Sequence, residues 1–106
     1  MTHRTQLNQA EEHLRRARAQ AQGDAHAILD KVADRYRRVR HASPMTKGNR
    51  EARICTVSVE LFGYGPRAEA AEREALRLAP PVDPRLPITR GEYAVKLHTV
   101  LSGRSL

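Results

Sequence analysis

Tryptophan is absent from this 106-residue chain, cysteine occurs once, and the aromatic residues amount to Phe62 and three tyrosines. A lone Cys55 excludes an intramolecular disulfide and suits a reducing compartment. Few aromatics, with alanine supplying much of the apolar content, leave little surface to bury. A thin core is therefore expected, one that gains from helix pairing or oligomerisation, and a homodimer is the expected state. Long hydrophobic runs are missing too. Residues 1–22 are polar and Ala-rich, without the apolar segment of a secretory signal, and no stretch is long enough to span a bilayer. These absences predict a soluble, cytoplasmic protein with no membrane partner. A chain of this length holds one domain, with room for an appended arm.

Recognisable reactive chemistry is missing as well. The five histidines, His3, His13, His26, His41 and His98, are scattered and form no ligand spacing with Cys55 or with carboxylates. Cys55 has no base near it in sequence and sits on the apolar side of an alternating segment, which predicts a small buried hydrophobe. Gly63-Tyr64-Gly65 is followed by Pro66, which removes an amide that a phosphate loop would use, so turn chemistry explains these glycines. Nothing in the spacing of Ser, His and acidic residues orders a catalytic triad. The expectation is a protein without metal or cofactor that is not an enzyme.

What the chain does have is arginine. Arg outnumbers Lys 16 to 3, and the formal charge is +7. Codon bias of a GC-rich genome would by itself raise Arg and Ala, but it would not place the charge unevenly. Residues 1–50 carry 11 Lys/Arg against 5 Asp/Glu (+6), and residues 51–106 carry 8 against 7 (+1). The densest stretch is Arg35-Tyr36-Arg37-Arg38-Val39-Arg40-His41. A guanidinium is always charged and binds an oxyanion through two hydrogen bonds at once, so such a cluster suits phosphate oxygens. It equally suits the negative end of a helix dipole. Tyr36 fits either stacking on an unpaired base or a place in the core.

Hydrophobic spacing organises the rest. Leu7, Ala10, Leu14, Ala17 and Ala21 recur at intervals of three and four and predict a helix over residues 5–22. Gly23-Asp24 reads as a break, with Asp24 capping a second helix over 25–40 whose face is Ala25, Ile28, Leu29, Val32, Tyr36 and Val39. The alternative is one rod over 5–40 that absorbs Gly23 at about 1 kcal/mol. Ser43-Pro44 and Lys47-Gly48-Asn49 mark a loop. From 54 to 62 the period changes: Cys55, Val57, Val59 and Leu61 alternate with Thr56, Ser58 and Glu60, which predicts a half-buried strand or else a buried helix. Pro66 then opens a helix over 66–79 behind a Gly65 cap. The prolines at 80, 81, 84 and 87 stiffen the next segment, and Thr89-Arg90-Gly91-Glu92 fits a capping box that opens a last helix. The fold class is therefore mainly α with one short β-strand: an N-terminal helical hairpin or rod, then strand-helix-helix, with an all-α fold as the alternative. Residues 1–42 form a basic helical arm, 43–53 a loop, and 54–106 the strand-helix-helix region, unless the whole is a single compact domain.

Strand, helix, helix, with a strand lacking any partner, resembles the ribbon-helix-helix DNA-binding family. The resemblance covers residues 53–102, with Arg53-Ile54-Cys55-Thr56-Val57-Ser58-Val59 as the ribbon. In that family two chains pair their strands into a ribbon that enters the major groove. The resemblance implies that Thr56, Ser58 and Glu60 face the bases, and that the amides near Thr89 and Arg90 hold a phosphate.

Two functions from different classes follow. One is a small non-enzymatic nucleic-acid-binding protein of repressor, antitoxin, or phage or plasmid accessory type, with DNA favoured over RNA. Arg35, Arg37, Arg38, Arg40, Lys47, Arg50 and Arg53 would then contact phosphates. The other is a helical protein-interaction module (inhibitor, adaptor or assembly component) that docks on an acidic partner through the Leu/Ala seam of residues 7–21.

Overall fold

The computed structural model describes residues 2–103, and side chains from Thr5 onward. Met1 and residues 104–106, which the sequence-based division includes, lie outside the described residues. The described residues form four helices: α1 (Thr2–Arg38), α2 (Lys47–Phe62), α3 (Pro66–Leu78) and α4 (Arg90–Leu101). The described residues are all-α in class, and the strand expected over 54–62 does not form.

Helix α1 is the rod alternative, and no hairpin opens at Gly23. Its apolar face runs on from Ala21 into Ala25, Ile28, Leu29, Val32, Ala33 and Tyr36, and these last six are buried. Breaking the helix at Gly23 would discard that continuity, which outweighs the roughly 1 kcal/mol cost of an internal glycine. Asp24 is also not free to cap a new helix, because Arg67 of α3 donates to both its carboxylate oxygens at 2.9 and 3.0 Å. Val39, placed on the same face by spacing, is exposed because it lies just past the helix end.

Helix α2 contains the segment read as a strand. Thr46 caps it by accepting from the Asn49 amide at 3.0 Å, so Lys47-Gly48-Asn49 is a first helical turn and not a loop. The buried residues are Ile54, Val57 and Ser58, an i, i+3, i+4 set. Of the four apolar residues in the alternation only Val57 is buried; Cys55 and Leu61 are exposed. β-branched residues cost a helix only about 0.5 kcal/mol each. An unpaired strand would leave a row of amides and carbonyls without partners, which is far more costly. The ribbon on which the family resemblance rested is thus absent.

Helix α3 starts with Pro66 at its first position behind Gly65 and buries Ala68, Ala71 and Ala75. These small side chains let it approach both α1 and α2, against which it packs. Ser58 of α2 donates to the Ala68 carbonyl at 2.8 Å, so its hydroxyl is satisfied inside this contact. Helix α4 opens with the expected capping box between Thr89 and Glu92 and buries Tyr93, Ala94 and Leu97 against α1. The segment after α1 lies along its start: Met45 donates to Ile88, Arg90 to Ser43, and Gly91 to His41. A Cβ on Gly91 would sit 3.2 Å from the His41 carbonyl oxygen, which is why glycine fits there.

One arginine joins three elements. The guanidinium of Arg50 on α2 donates to the carbonyls of Leu76 (2.6 Å), Ala79 (2.8 Å) and Pro80 (3.0 Å), and to the Tyr93 hydroxyl (3.2 Å). It caps the C-terminus of α3, whose last carbonyls have no helical partner. Arg50 is therefore committed to the fold and is not available to a ligand. Replacing Arg50 with Ala is expected to lower stability by about 2–4 kcal/mol, since several part-buried carbonyls lose their donor together. Arg50→Lys should recover only a minor share, because an ammonium cannot reproduce the planar fork. Urea unfolding followed by circular dichroism measures both.

Candidate nucleic-acid interface

The arginine cluster at the end of α1 is divided by its neighbours. Arg37 and Arg38 both turn back to Asp34, at 2.9 and 3.2 Å, and form exposed pairs within one helical turn. Arg35 reaches Glu60 of α2 at 3.5 Å, and Lys31 reaches the other oxygen of the same carboxylate at 2.9 Å. Hydrogen bonding from Lys31, then the charges of Lys31, Arg35 and Arg53, hold the Glu60 carboxyl below its ordinary range. Glu60 therefore bridges α1 and α2, and the base-facing role implied by the resemblance does not apply to it.

Arg40 departs from the helix with a φ of +50°, the left-handed region that side chains rarely adopt. That turn directs the chain back across the end of the bundle. There Arg40 lines a cleft of about 220 Å³ together with Arg35, Tyr36, Val39, Arg53 and Arg90. Arg53 comes from the middle of α2 and Arg90 from the first position of α4, so two helix ends, the flank of a third helix and one turn converge. Among the described residues Arg40, Arg53 and Arg90 make no ion pair, in contrast to the paired arginines of α1. The Nε atoms of Arg53 and Arg90 are buried and have no acceptor. A buried charged donor left unmatched is costly and is met where an external acceptor completes the site.

Tyr36 is the inner wall of this cleft. Its ring is buried and meets Tyr93 edge-on at 6.1 Å, and its hydroxyl donates to Asn49 Oδ1 at 2.6 Å. Tyr36 is thus a core residue and has no face free for a base. Burial pushes its phenol up to about 12, against the opposing charges of Arg53 and Arg90.

The other expected contacts fall differently. Lys47 is exposed at the start of α2, and Thr56 is exposed one helical turn from Arg53. Ser58 is only 1% exposed and cannot reach a ligand. The Thr89 hydroxyl accepts from Glu92, the Thr89 amide donates to the Glu92 carboxylate, and the Arg90 amide donates to Ser43. The amides expected to hold a phosphate are therefore occupied, and Arg90 enters the site through its side chain instead. Cys55 is exposed, and its thiol is raised by a hydrogen bond to Glu72 and by that carboxylate's charge, the reverse of activation as a nucleophile. No group of three or more metal-ligating residues occurs among the described residues, and no described helix is long and apolar enough to cross a membrane.

Sequence spacing offered no route to the grouping of Arg40, Arg53 and Arg90, which belong to different elements. The usable signal was negative: unlike Arg37 and Arg38, none of the three has an acidic residue three or four positions before it.

The tyrosine shift has a direction that stability must follow. Above pH 10 the unfolded phenol loses its proton while the buried Tyr36 keeps it, so the fold binds the extra proton. Stability from this group is complete below pH 10 and is lost as pH rises through about 12. An ultraviolet absorbance titration should show late tyrosine ionisation, to which Tyr93 also contributes because burial raises it, and Tyr36→Phe should remove the step near pH 12. No family model, no curated protein and no solved structure matches this chain.

Proposed function

We propose that this chain is a small non-enzymatic nucleic-acid-binding protein whose phosphate-contacting centre is the cleft of Arg35, Arg40, Arg53 and Arg90. The supporting observation is that three guanidinium groups meet there without a carboxylate partner, two of them with a buried Nε that lacks an acceptor. Several arginines elsewhere are matched by acid: Arg67 with Asp24, Arg77 with Glu74, Arg85 with Asp83. An unmatched group of the one residue type suited to bidentate phosphate contact favours a polyanion over a neutral ligand. Arg37, Arg38 and Lys47, at the same end of the molecule, add exposed positive charge that steers a polyanion inward. Contacts of this kind give affinity and position without reading sequence.

Duplex DNA is the first ligand to test. With three phosphates engaged, log affinity should fall against log salt with a slope of about −2.7, or about fortyfold between roughly 50 and 200 mM. Fluorescence anisotropy with a labelled random duplex measures this. The combined Arg40→Ala, Arg53→Ala and Arg90→Ala variant should lose most of the binding and of the slope. Arg77→Ala, on a paired arginine of α3, should leave both unchanged. No association at the lowest salt overturns this reading and leaves the second class, a helical interaction module.

A further inference from the structure

Half of α1 has no cover. Residues 5–20 are exposed apart from Glu12, and Leu7 and Leu14 stand 53% and 55% exposed. Glu12 is held by its own neighbours Arg15 and Arg16. A lone helix of this length is marginal in water, and its stability normally comes from burying an apolar face. The exposed face is Leu7, Ala10, Leu14 and Ala17, with half-buried Ala21 ending it, at the alternating spacing of a coiled-coil seam.

Three observations select what covers it. The first is the seam's order of sizes. When two such seams run antiparallel about Leu14, Leu14 meets Leu14 and each Leu7 falls opposite Ala21, so large side chains meet small ones away from the axis. The second is charge. Glu11 and Arg18 occupy the same flank, four residues after Leu7 and Leu14, and neither makes an ion pair among the described residues. In the antiparallel arrangement Glu11 of each chain lies across from Arg18 of the other, and a two-fold axis makes this contact twice. The third is a receiving surface. Beside Ala17 and Ala21 lies a depression of about 240 Å³ whose other wall is Pro66, Arg67 and Ala70 of α3. It sits where Leu7 of a second copy would arrive. A parallel pair is excluded by the same feature, since the start of α3 lies over the seam at Asp24 and two bodies would collide there.

We infer that the exposed arm of α1 is a homodimer surface, on which a second copy lies antiparallel with its two-fold axis at Leu14 and its Leu7 in the depression beside Pro66. The arms carry a charge of only +1 each over residues 5–22, three Arg against two Glu, so repulsion between them is small. The helical rise sets the two arginine clefts about 70 Å apart, at opposite ends of the dimer. If they hold phosphates as proposed above, they span about 20 base pairs, near two turns of a duplex.

Sedimentation equilibrium of the full chain tests the dimer without any nucleic acid. Wild-type protein should associate reversibly, and Leu14→Glu, which places two carboxylates at the axis, should weaken association at least tenfold. Because Leu14 is exposed in the single chain, the body should stay folded, checked by its thermal transition. Glu11→Arg and Arg18→Glu should each weaken association several-fold, since each turns two attractive contacts into two repulsive ones. An equimolar mixture of these two variants should restore it, because the mixed pair again sets opposite charges across both contacts. A wild-type chain that stays monomeric at its highest soluble concentration overturns the inference. So does a mixture no better than either variant alone. Arg53→Ala with Arg90→Ala should dimerise normally, which separates failure of this surface from failure of the cleft.

Discussion

The buried stripe of α1 from Ala25 to Tyr36 is the surface against which all three later helices pack. With few aromatic residues to bury, the molecule puts its largest enclosed side chains, Tyr36 and Tyr93, in edge-on contact where α1 meets α4. Full burial of a side chain of the Leu or Ile class contributes about 1.5–3 kcal/mol. Ile28, Leu29 and Val32 on one helix therefore supply a large share of what a small domain has available. Continuity of this stripe is what makes α1 one helix through Gly23, and it fixes where the three other helices can lie.

Arginine is used in three physically different ways. Arg50 replaces missing helical partners at the end of α3, where its planar fork satisfies the Leu76 and Ala79 carbonyls and shares the Pro80 carbonyl with the Tyr93 hydroxyl. Arg67 fastens α3 to α1 through Asp24 and lies over the Phe62 ring at 4.8 Å. Arg40, Arg53 and Arg90 do neither, and their convergence on a cleft beside Tyr36 sets them apart. Net charge alone does not distinguish these roles. The distinction lies in which acceptor each guanidinium already has.

Signals carried by neighbouring residues were legible in the sequence. The capping box at Thr89 and Glu92, the Gly65-Pro66 helix start and the alanine face of α3 each depend on side chains within a turn of one another, and each is present as read. The Arg50 clamp was not legible, because its acceptors lie 26 to 43 residues away in other parts of the chain. The segment from Cys55 to Leu61 misled for a different reason. Its alternation is real, but alternation describes a strand only if another strand exists to pair with it, and the chain offers none among the described residues. A helix satisfies its own backbone, and Ile54, Val57 and Ser58 give it a face to bury.

The sequence by itself determined a helical chain, the Pro and capping signals that start α3 and α4, and an excess of arginine in the first half. Those properties rest on local spacing and on composition, which need no knowledge of the fold. Tertiary structure alone decided that α1 runs unbroken past Gly23 and that its first half projects uncovered, because only packing shows which part of an apolar stripe finds a neighbour. It also decided which arginines remain unmatched: Arg40, Arg53 and Arg90 come from three separate elements, and only the docking of α2 and α4 against α1 sets them around one cleft.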